Sequence, residues 1–170
     1  MKETIPCLIW ETDAEELPAD SRDGAQMDSP RAGGRYFITG TAAARRRYTS
    51  ERERARLTSW MVEQRRLGAE CPEMTTKAVD DAKRRPPLSV HERADRLLEC
   101  ISLELDDVAD VFVHGERHND EHNPLHCRMA WSESIRPEEV TYLVAYLESS
   151  AWIEHAYADV CLSYSRAVRT

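Results

Sequence analysis

The stretch PEEVTYLVAYLESSAWIEHAYADVCL, residues 137–162, changes from helical to strand-like periodicity and therefore decides the fold. Pro137 suits the first turn of a helix, and Glu138 and Glu139 lie near the positive end of its dipole. Two short apolar segments, 152–154 and 160–162, follow and predict two strands joined by a hairpin-length connection. The predicted helix has an apolar face at helical spacing, which consists of Val140, Leu143, Val144, Leu147 and Ala151.

The sequence before this stretch predicts the rest of one domain over residues 87–170. Ser89-x-x-Glu92 has the form of a capping box and predicts the start of a helix. Residues 110–115 alternate like a strand, and residues 115–127 are polar and predict a loop. The order helix, strand, short helix, helix, hairpin is that of a winged helix, which we expect over 88–163. The apolar stripe of its first helix comprises Val90, Ala94, Leu97, Leu98, Ile101 and Leu105.

The middle of the chain, residues 49–86, predicts a pair of basic helices. Ser50 and the glutamate three residues later form a second capping-box pattern, and Gly68 is a natural stop for the helix that follows. A shorter helix is predicted over 75–85. It ends before Pro86-Pro87, because the residue before a proline disfavours the helical conformation.

Residues 1–48 predict loops and short strands with a spacing typical of zinc ribbons. Cys7-x2-Trp10 and Ser29-x2-Ala32 have the four-residue spacing of two zinc knuckles. Zinc in a structural site requires four nitrogen, sulfur or oxygen ligands, and only Cys7 is one here. We therefore expect no zinc and no cofactor, with Trp10 and Ala32 filling the position of the metal by packing.

Composition limits the class of protein. Of the 170 residues, 41% are hydrophobic and 32% are charged, which indicates a globular chain with a core of its own. No apolar run approaches the roughly 18 residues of a membrane span. The N-terminus is too acidic for a secretory signal, and the five cysteines are scattered rather than paired. We therefore expect a cytoplasmic protein with reduced thiols and no membrane partner.

The net charge of −8 is unevenly distributed. Residues 1–30 carry −6, residues 31–86 carry +7 and residues 87–170 carry −9. The acidic flanks disfavour non-specific nucleic-acid binding, whereas the basic middle either contacts phosphates or neutralises the acidic segments of its own chain. Its candidate phosphate-binding residues are Arg45, Arg46, Arg47, Arg65, Arg66, Arg84 and Arg85.

A histidine-rich segment lies within the predicted loop. His118-x-x-Glu121-His122 matches the inverted zincin pattern, in which two histidines hold zinc and the glutamate acts as general base. The surrounding glycine, asparagines and proline favour turns, and no acidic third ligand is identifiable downstream. The alternatives are a solvated or pH-sensitive loop and a structural or adventitious metal site. The candidate ligands are His114, His118, His122 and His126.

The predicted third helix of the winged helix, 137–150, carries aromatic rather than basic residues. A helix that reads DNA presents Arg, Lys, Asn or Gln to the base edges. Here the sequence places Glu138 and Glu139 in the first turn, and no lysine or arginine follows Arg136. An acidic, aromatic helix favours a protein partner, because aromatic side chains supply rigid contact area. The candidate partner-binding residues are Tyr142, Tyr146 and Trp152.

Four segments resemble the N-terminal region of bacterial anti-phage effector proteins: CLIWETDAEEL (7–17), DSPRAGGRYFITGTA (28–42), ARLTSWMVEQRRLG (55–68) and AYLESSAWIEH…VCLSYS (145–165). In that family, two C-P-x-C-like knuckles precede helices and a winged-helix-like segment. An effector domain of Toll/interleukin-receptor or nucleotide-hydrolase type often follows. The resemblance implies a sensing or docking module. It implies no catalytic residues, because none here matches an effector site.

The sequence thus predicts a mainly helical α+β protein with a degenerate zinc-ribbon-like segment (1–48), a basic helical pair (49–86) and a winged-helix-like domain (87–170). The leading hypothesis is a non-enzymatic protein-interaction or sensing module in bacterial defence, which binds a separately encoded protein or a second copy of itself. The alternatives are a nucleic-acid-binding regulator that uses residues 31–86 and a metal-dependent hydrolase at the histidine-rich loop.

Overall fold

The computed structural model describes residues 4–45, 50–105, 111–113, 124–156 and 164–167, and it describes the side chains of 5–45, 50–105 and 124–153. The chain divides into two compact units, Met1–Pro87 and Leu88–Thr170. Each unit combines helices with a sheet of its own, so the α+β class is confirmed.

The first unit contains a five-stranded sheet in the order β1-β2-β3-β4-β5. The first four strands pair antiparallel, and β5 pairs parallel to β4. A 3-10 turn over Pro30–Ala32 connects β3 to β4. The strands are β1 (Thr4–Pro6), β2 (Asp13–Leu17), β3 (Gly24–Ser29), β4 (Gly34–Thr39) and β5 (Glu73–Met74).

Gly24 permits the close pairing of β3 with β4. It lies opposite Thr39 in the register, with a φ of 154°. A Cβ atom at this position would lie 2.2 Å from the carbonyl oxygen of Ile38, which is part of the backbone and cannot move aside. A side chain here would therefore separate the two strands.

Three helices complete the described part of the first unit, and a hydroxyl side chain caps each one. The helices are α1 (Gly40–Ala44), α2 (Glu51–Arg66) and α3 (Thr76–Arg84). Thr39, Ser50 and Thr75 each accept a hydrogen bond from the backbone N–H three residues later, which satisfies one donor of the first turn.

The core of the first unit lies between the sheet and these helices. Tyr36, Met27 and Ile38 from the strands are fully buried and belong to the same apolar cluster as Leu57 and Met61 of α2. Burial of such side chains is the dominant stabilising term of a small domain. Ala82 of α3 is also fully buried.

The second unit contains the elements α4 (Val90–Glu104), β6 (Val111–Val113), α5 (Pro124–Trp131), α6 (Pro137–Ser149), β7 (Ile153–Ala156) and β8 (Tyr164–Ala167). The strands form an antiparallel sheet in the order β6-β8-β7. The last strand of the chain thus lies between the two earlier strands of this unit.

The helices of the second unit pack around one apolar cluster, which includes Leu97, Ile101, Leu143, Leu147 and Ile153. Ser89 and Glu92 form the predicted capping box at the start of α4, with both reciprocal hydrogen bonds present. One residue of the predicted apolar stripe of α4 is exposed rather than buried. Val90 is 42% exposed, because the first helical position turns away from the core.

One predicted boundary differs from the structure. Residues 124–127, predicted as the end of a polar loop, form the first turn of α5. Pro124 is tolerated there, because the first residue of a helix needs no donor. The predicted strand 160–162 lies outside the described residues, among which β8 spans Tyr164–Ala167.

Among the described residues, no helix combines the length and the apolar character needed to cross a membrane.

Candidate functional site

The exposed face of α6 is the strongest candidate for a binding surface. Tyr142 is 62% exposed and Trp152, three residues beyond the helix, is 45% exposed. Large aromatic side chains at this exposure contribute little to the core of their own unit and offer apolar area to a partner. We use the name α6 face for six exposed residues of α6 and of the corner after it: Glu138, Thr141, Tyr142, Ala145, Ser149 and Trp152.

The corner after α6 positions Trp152. Ala151 adopts a left-handed φ of 58°, and the Trp152 N–H donates to the carbonyl oxygen of Leu147 at 3.0 Å. The next residue, Ile153, is buried in the core. The backbone of Trp152 is therefore anchored on both sides while its indole ring remains accessible.

Tyr146, the third predicted partner-binding residue, lies elsewhere. It is half-buried and packs against the apolar cluster of the second unit. It follows Tyr142 by four residues, so the two share a side of the helix, but Tyr146 lies closer to the core. Its contribution is mainly to the packing that supports the α6 face.

Acidic residues occupy the start of α6. Glu138 is exposed, whereas Glu139 bonds Arg93 of α4 at 2.5 Å and accepts the backbone N–H of Ile135 at 3.3 Å. Arg93 also donates to the carbonyl oxygen of Ser132 and to Ser134 Oγ. These bonds hold the α5–α6 connection to α4 and thereby set the direction in which α6 leaves the core.

Three of the predicted phosphate-binding arginines, Arg65, Arg66 and Arg84, make contacts within the chain. Arg65 donates to the backbone carbonyl oxygens of Ala32 and Arg35, and therefore holds α2 to the β3–β4 connection. Arg66 and Arg84 pair with carboxylates three residues away on their own helices. Arg45 and Arg85 are exposed at the ends of α1 and α3. Arg46 and Arg47 lie outside the described residues.

The four knuckle positions of the first unit lie in or against its core. Cys7, Ser29 and Ala32 are buried, and the Cys7 Sγ lies 3.5 Å from the Tyr36 hydroxyl. Trp10 packs against the same core. Its indole N–H donates to Thr58 Oγ1 at 2.8 Å, and the Arg31 guanidinium stacks 3.7 Å from its ring centre. Side-chain packing and hydrogen bonding thus occupy these positions.

Three of the four candidate metal ligands, His114, His118 and His122, lie outside the described residues. The fourth, His126, is half-buried on α5. In the described part of the chain, no group of three or more His, Cys, Asp or Glu side chains could hold a metal ion.

The structure also brings together a cluster that sequence reasoning missed. Cys100 on α4 and Cys127 on α5 have their sulfur atoms 3.8 Å apart. Beside them, Arg128 bonds Glu104 through two nitrogens, and the Arg128 side chain is only 4% exposed. The contacts that join α4 to α5 link residues 24 and 27 positions apart, so the sequence showed only the local pairs Cys100…Glu104 and Cys127-Arg128.

Comparison with models of known protein families, with curated proteins and with solved structures gives no match to this chain.

Proposed function

We propose that this chain is a non-enzymatic docking module that binds a protein partner through the α6 face. The observation that carries the proposal is the pair of exposed aromatic residues, Tyr142 and Trp152, on an element whose backbone is firmly anchored. Rigid aromatic side chains that are already exposed lose little conformational freedom on binding, and such residues commonly dominate interface energies.

The arrangement of the second unit supports a winged-helix-like assignment. Its element order is helix, strand, helix, helix and two strands, and β8 pairs with both β6 and β7. In a winged helix, α6 would correspond to the helix that enters the major groove of DNA. Its exposed face would have to supply donors to base edges and cations to phosphates.

The chemistry of the α6 face favours protein over DNA. No lysine or arginine occurs between Pro137 and Ser150, and Glu138 would be repelled by phosphate. Residues 87–170 as a whole carry seven basic and sixteen acidic side chains. The partner we propose is therefore a protein with an apolar cleft for Tyr142 and Trp152, bordered by basic residues that complement this charge.

In the same proposal, the first unit is a structural scaffold of the docking module. Its knuckle spacing and the resemblance to bacterial defence proteins support a zinc-ribbon-like origin, in which packing of Trp10 and Ala32 replaces the metal. In that family the corresponding region precedes an effector domain. A separately encoded effector of a bacterial defence system is therefore the partner that we propose first.

The test begins with a photoreactive amino acid placed at position 142 or, as a matched control, at position 103 of α4 in the producing cells. Leu103 is also a large apolar residue of the second unit and is 70% exposed. We expect one protein to be cross-linked from position 142 and not from position 103. Cross-links to nucleic acid, or the same products from both positions, contradict the proposal.

The cross-linked protein is then purified and titrated against variants of the full chain. Tyr142→Ala and Trp152→Ala are each expected to weaken the dissociation constant by roughly 10–100-fold, as at central interface residues. Leu103→Ala is expected to leave it within about 2-fold. Equal affinities for all four proteins would exclude the α6 face as the binding surface.

A further inference from the structure

The sulfur atoms of Cys100 and Cys127 are close enough to react with each other. They lie 3.8 Å apart on different helices, and the structure contains both as reduced thiols. A disulfide requires a separation of about 2.05 Å, so the sulfurs would have to approach by roughly 1.8 Å. Changes in side-chain rotation and a small helix shift supply movement of that size.

The two thiols differ in accessibility. Cys100 is 2% exposed, whereas Cys127 is half-buried. The hydrogen bond to Cys127 and burial raise the pKa of the Cys100 thiol far above its usual range. Cys100 is therefore protonated at neutral pH, and Cys127 is the sulfur that a dissolved reagent can reach first.

A carboxylate lies beside the buried thiol. The Cys100 Sγ lies 3.5 Å from Glu104 Oε1, one helical turn along α4. Glu104 is fixed by Arg128, whose Nε and terminal nitrogen lie 3.1 Å and 2.5 Å from Oε2. Glu104 is thus positioned to accept the Cys100 proton when that sulfur becomes a nucleophile.

We propose that Cys100 and Cys127 form a site of reversible oxidation, at which a low-molecular-weight disulfide converts the two thiols into a disulfide between α4 and α5. The ligand class is a small organic disulfide of the glutathione type. The site is separate from the α6 face and does not depend on the proposed docking function.

The reaction has two exchange steps. The Cys127 thiolate attacks one sulfur of the small disulfide, which breaks the S–S bond, forms a mixed disulfide on Cys127 and releases one small thiolate. Cys100 transfers its proton to Glu104 and attacks the Cys127 sulfur, which releases the second small thiolate. The two protein thiols lose two electrons and two protons, and the small disulfide gains them as two thiols.

The product would restrain the chain between the two helices. The new bond closes a loop that includes residues 101–126 and therefore the whole histidine-rich segment. Closing a loop of this length stabilises a domain chiefly by restricting its unfolded state. We expect the midpoint of thermal unfolding of the second unit to rise by about 5–15 °C on oxidation and to return on reduction.

The experiment uses the full chain, reduced and then exposed to oxidised glutathione under native conditions. Remaining thiols are alkylated after denaturation and counted by intact mass spectrometry, and peptide mapping locates the linked pair. Of the five cysteines, we expect three to be alkylated and a peptide pair to join Cys100 to Cys127. Five alkylated thiols, or Cys127 joined to a different cysteine, would overturn the proposal.

Variants separate the two steps. Cys100→Ser is expected to accumulate the mixed disulfide on Cys127, with an adduct lifetime at least roughly 10-fold longer than in the unaltered chain. Cys127→Ser is expected to leave Cys100 unmodified, and Cys71→Ser is the matched control in which the Cys100–Cys127 bond still forms. An adduct on Cys100 in the Cys127→Ser protein contradicts the proposed order of attack. If Cys100→Ser does not fold, Cys100→Ala replaces it, and the peptide map of the unaltered chain decides by itself.

Glu104→Gln tests the proton acceptor. The amide keeps the shape of the side chain and cannot take the proton, so we expect the adduct on Cys127 to form at the same rate and to resolve at least roughly 10-fold more slowly. A structural role alone would change both steps together. Equal resolution rates in the two proteins would remove Glu104 from the reaction.

Discussion

The two units of the molecule use their charged residues in different ways. In the first unit, sixteen basic side chains nearly balance fifteen acidic ones. Two of its ion pairs have a largely exposed partner: Arg54–Glu11 at 3.8 Å, in which Glu11 is exposed, and Arg35–Asp28 at 3.4 Å, in which Arg35 is exposed. In the second unit, acidic residues exceed basic ones by nine. Its arginine–carboxylate pairs Arg93–Glu139 and Arg128–Glu104 are both 2.5 Å long and partly buried.

We expect burial, rather than the number of charges, to decide what each ion pair contributes to stability. These two pairs of the first unit join the basic middle of the chain to its acidic N-terminal segment. Neutralisation of the acidic segments within the chain was one of the two alternatives for these basic residues. Such pairs are screened by water and salt. The pairs of the second unit fix helices that are far apart in sequence and leave its remaining acidic charge for the surface.

The largest predicted effect comes from breaking the most buried pair. Glu104→Ala leaves the Arg128 guanidinium, whose side chain is only 4% exposed, without its carboxylate partner, and we expect the second unit to lose about 3–5 kcal/mol of unfolding free energy. The matched control is Glu11→Ala in the first unit, which removes the exposed partner of Arg54 and is expected to cost under about 1 kcal/mol. The unfolding free energy of each unit is measured in urea, with hydrogen exchange of the amides of that unit as the signal. Equal losses in the two variants would contradict the comparison.

An intermediate effect is expected where Trp10 occupies a knuckle position of the first unit. Trp10→Phe keeps most of the aromatic surface but removes the indole N–H that bonds the fully buried Thr58 hydroxyl. We expect a loss of about 1–2 kcal/mol in urea unfolding. Trp60→Phe in α2 is the control for the loss of ring area. If both variants lose the same amount, the hydrogen bond to Thr58 contributes nothing.

The smallest effect distinguishes two helix caps by their pH dependence. Hydrogen bonds from the Ser89 side chain and backbone lower the pKa of Glu92 below its ordinary value of 4.5. Because the folded-state pKa is the lower one, this contribution to stability is present above pH 4.5 and is lost as the pH falls through the folded-state value.

Ser89→Ala is therefore expected to move the Glu92 pKa back toward 4.5, as followed by NMR titration of the side-chain carboxyl. The control is Ser50→Ala, which removes the cap of α2 and leaves the Glu92 titration unchanged. An unchanged Glu92 pKa in the Ser89→Ala protein would show that the capping box is not formed in solution.

Much of the local structure could be predicted from residues close together in sequence. The starts of α2 and α4 follow from Ser50 and Ser89, each of which bonds a residue three positions later. The start of α6 follows from Pro137, whose fixed φ and missing N–H suit the first turn of a helix. The loop prediction over 115–127 was wrong at residues 124–127, because Pro124 was treated as a turn signal although it begins α5.

The candidate site was predictable only in part. The periodicity of α6 identified its apolar face, and the residues left over included Tyr142 and Trp152. The same reasoning did not separate Tyr146, because a residue at the edge of a helical stripe is buried or exposed according to what packs beside it. The arginines show the same limit: Arg65 is a structural residue only because the carbonyl oxygens of Ala32 and Arg35 lie opposite it.

The sequence by itself determined the caps of α2 and α4, the order of the helices in the second unit and the acidic, aromatic character of α6. These depend on hydrogen bonds and periodicity within a few residues, which operate whatever the rest of the chain does. Only the tertiary structure decided that Cys100 meets Cys127, that Arg128 pairs with Glu104 and that Trp10 reaches Thr58. Those contacts join residues 24 to 48 positions apart, and they form only after burial of apolar surface has brought their elements together.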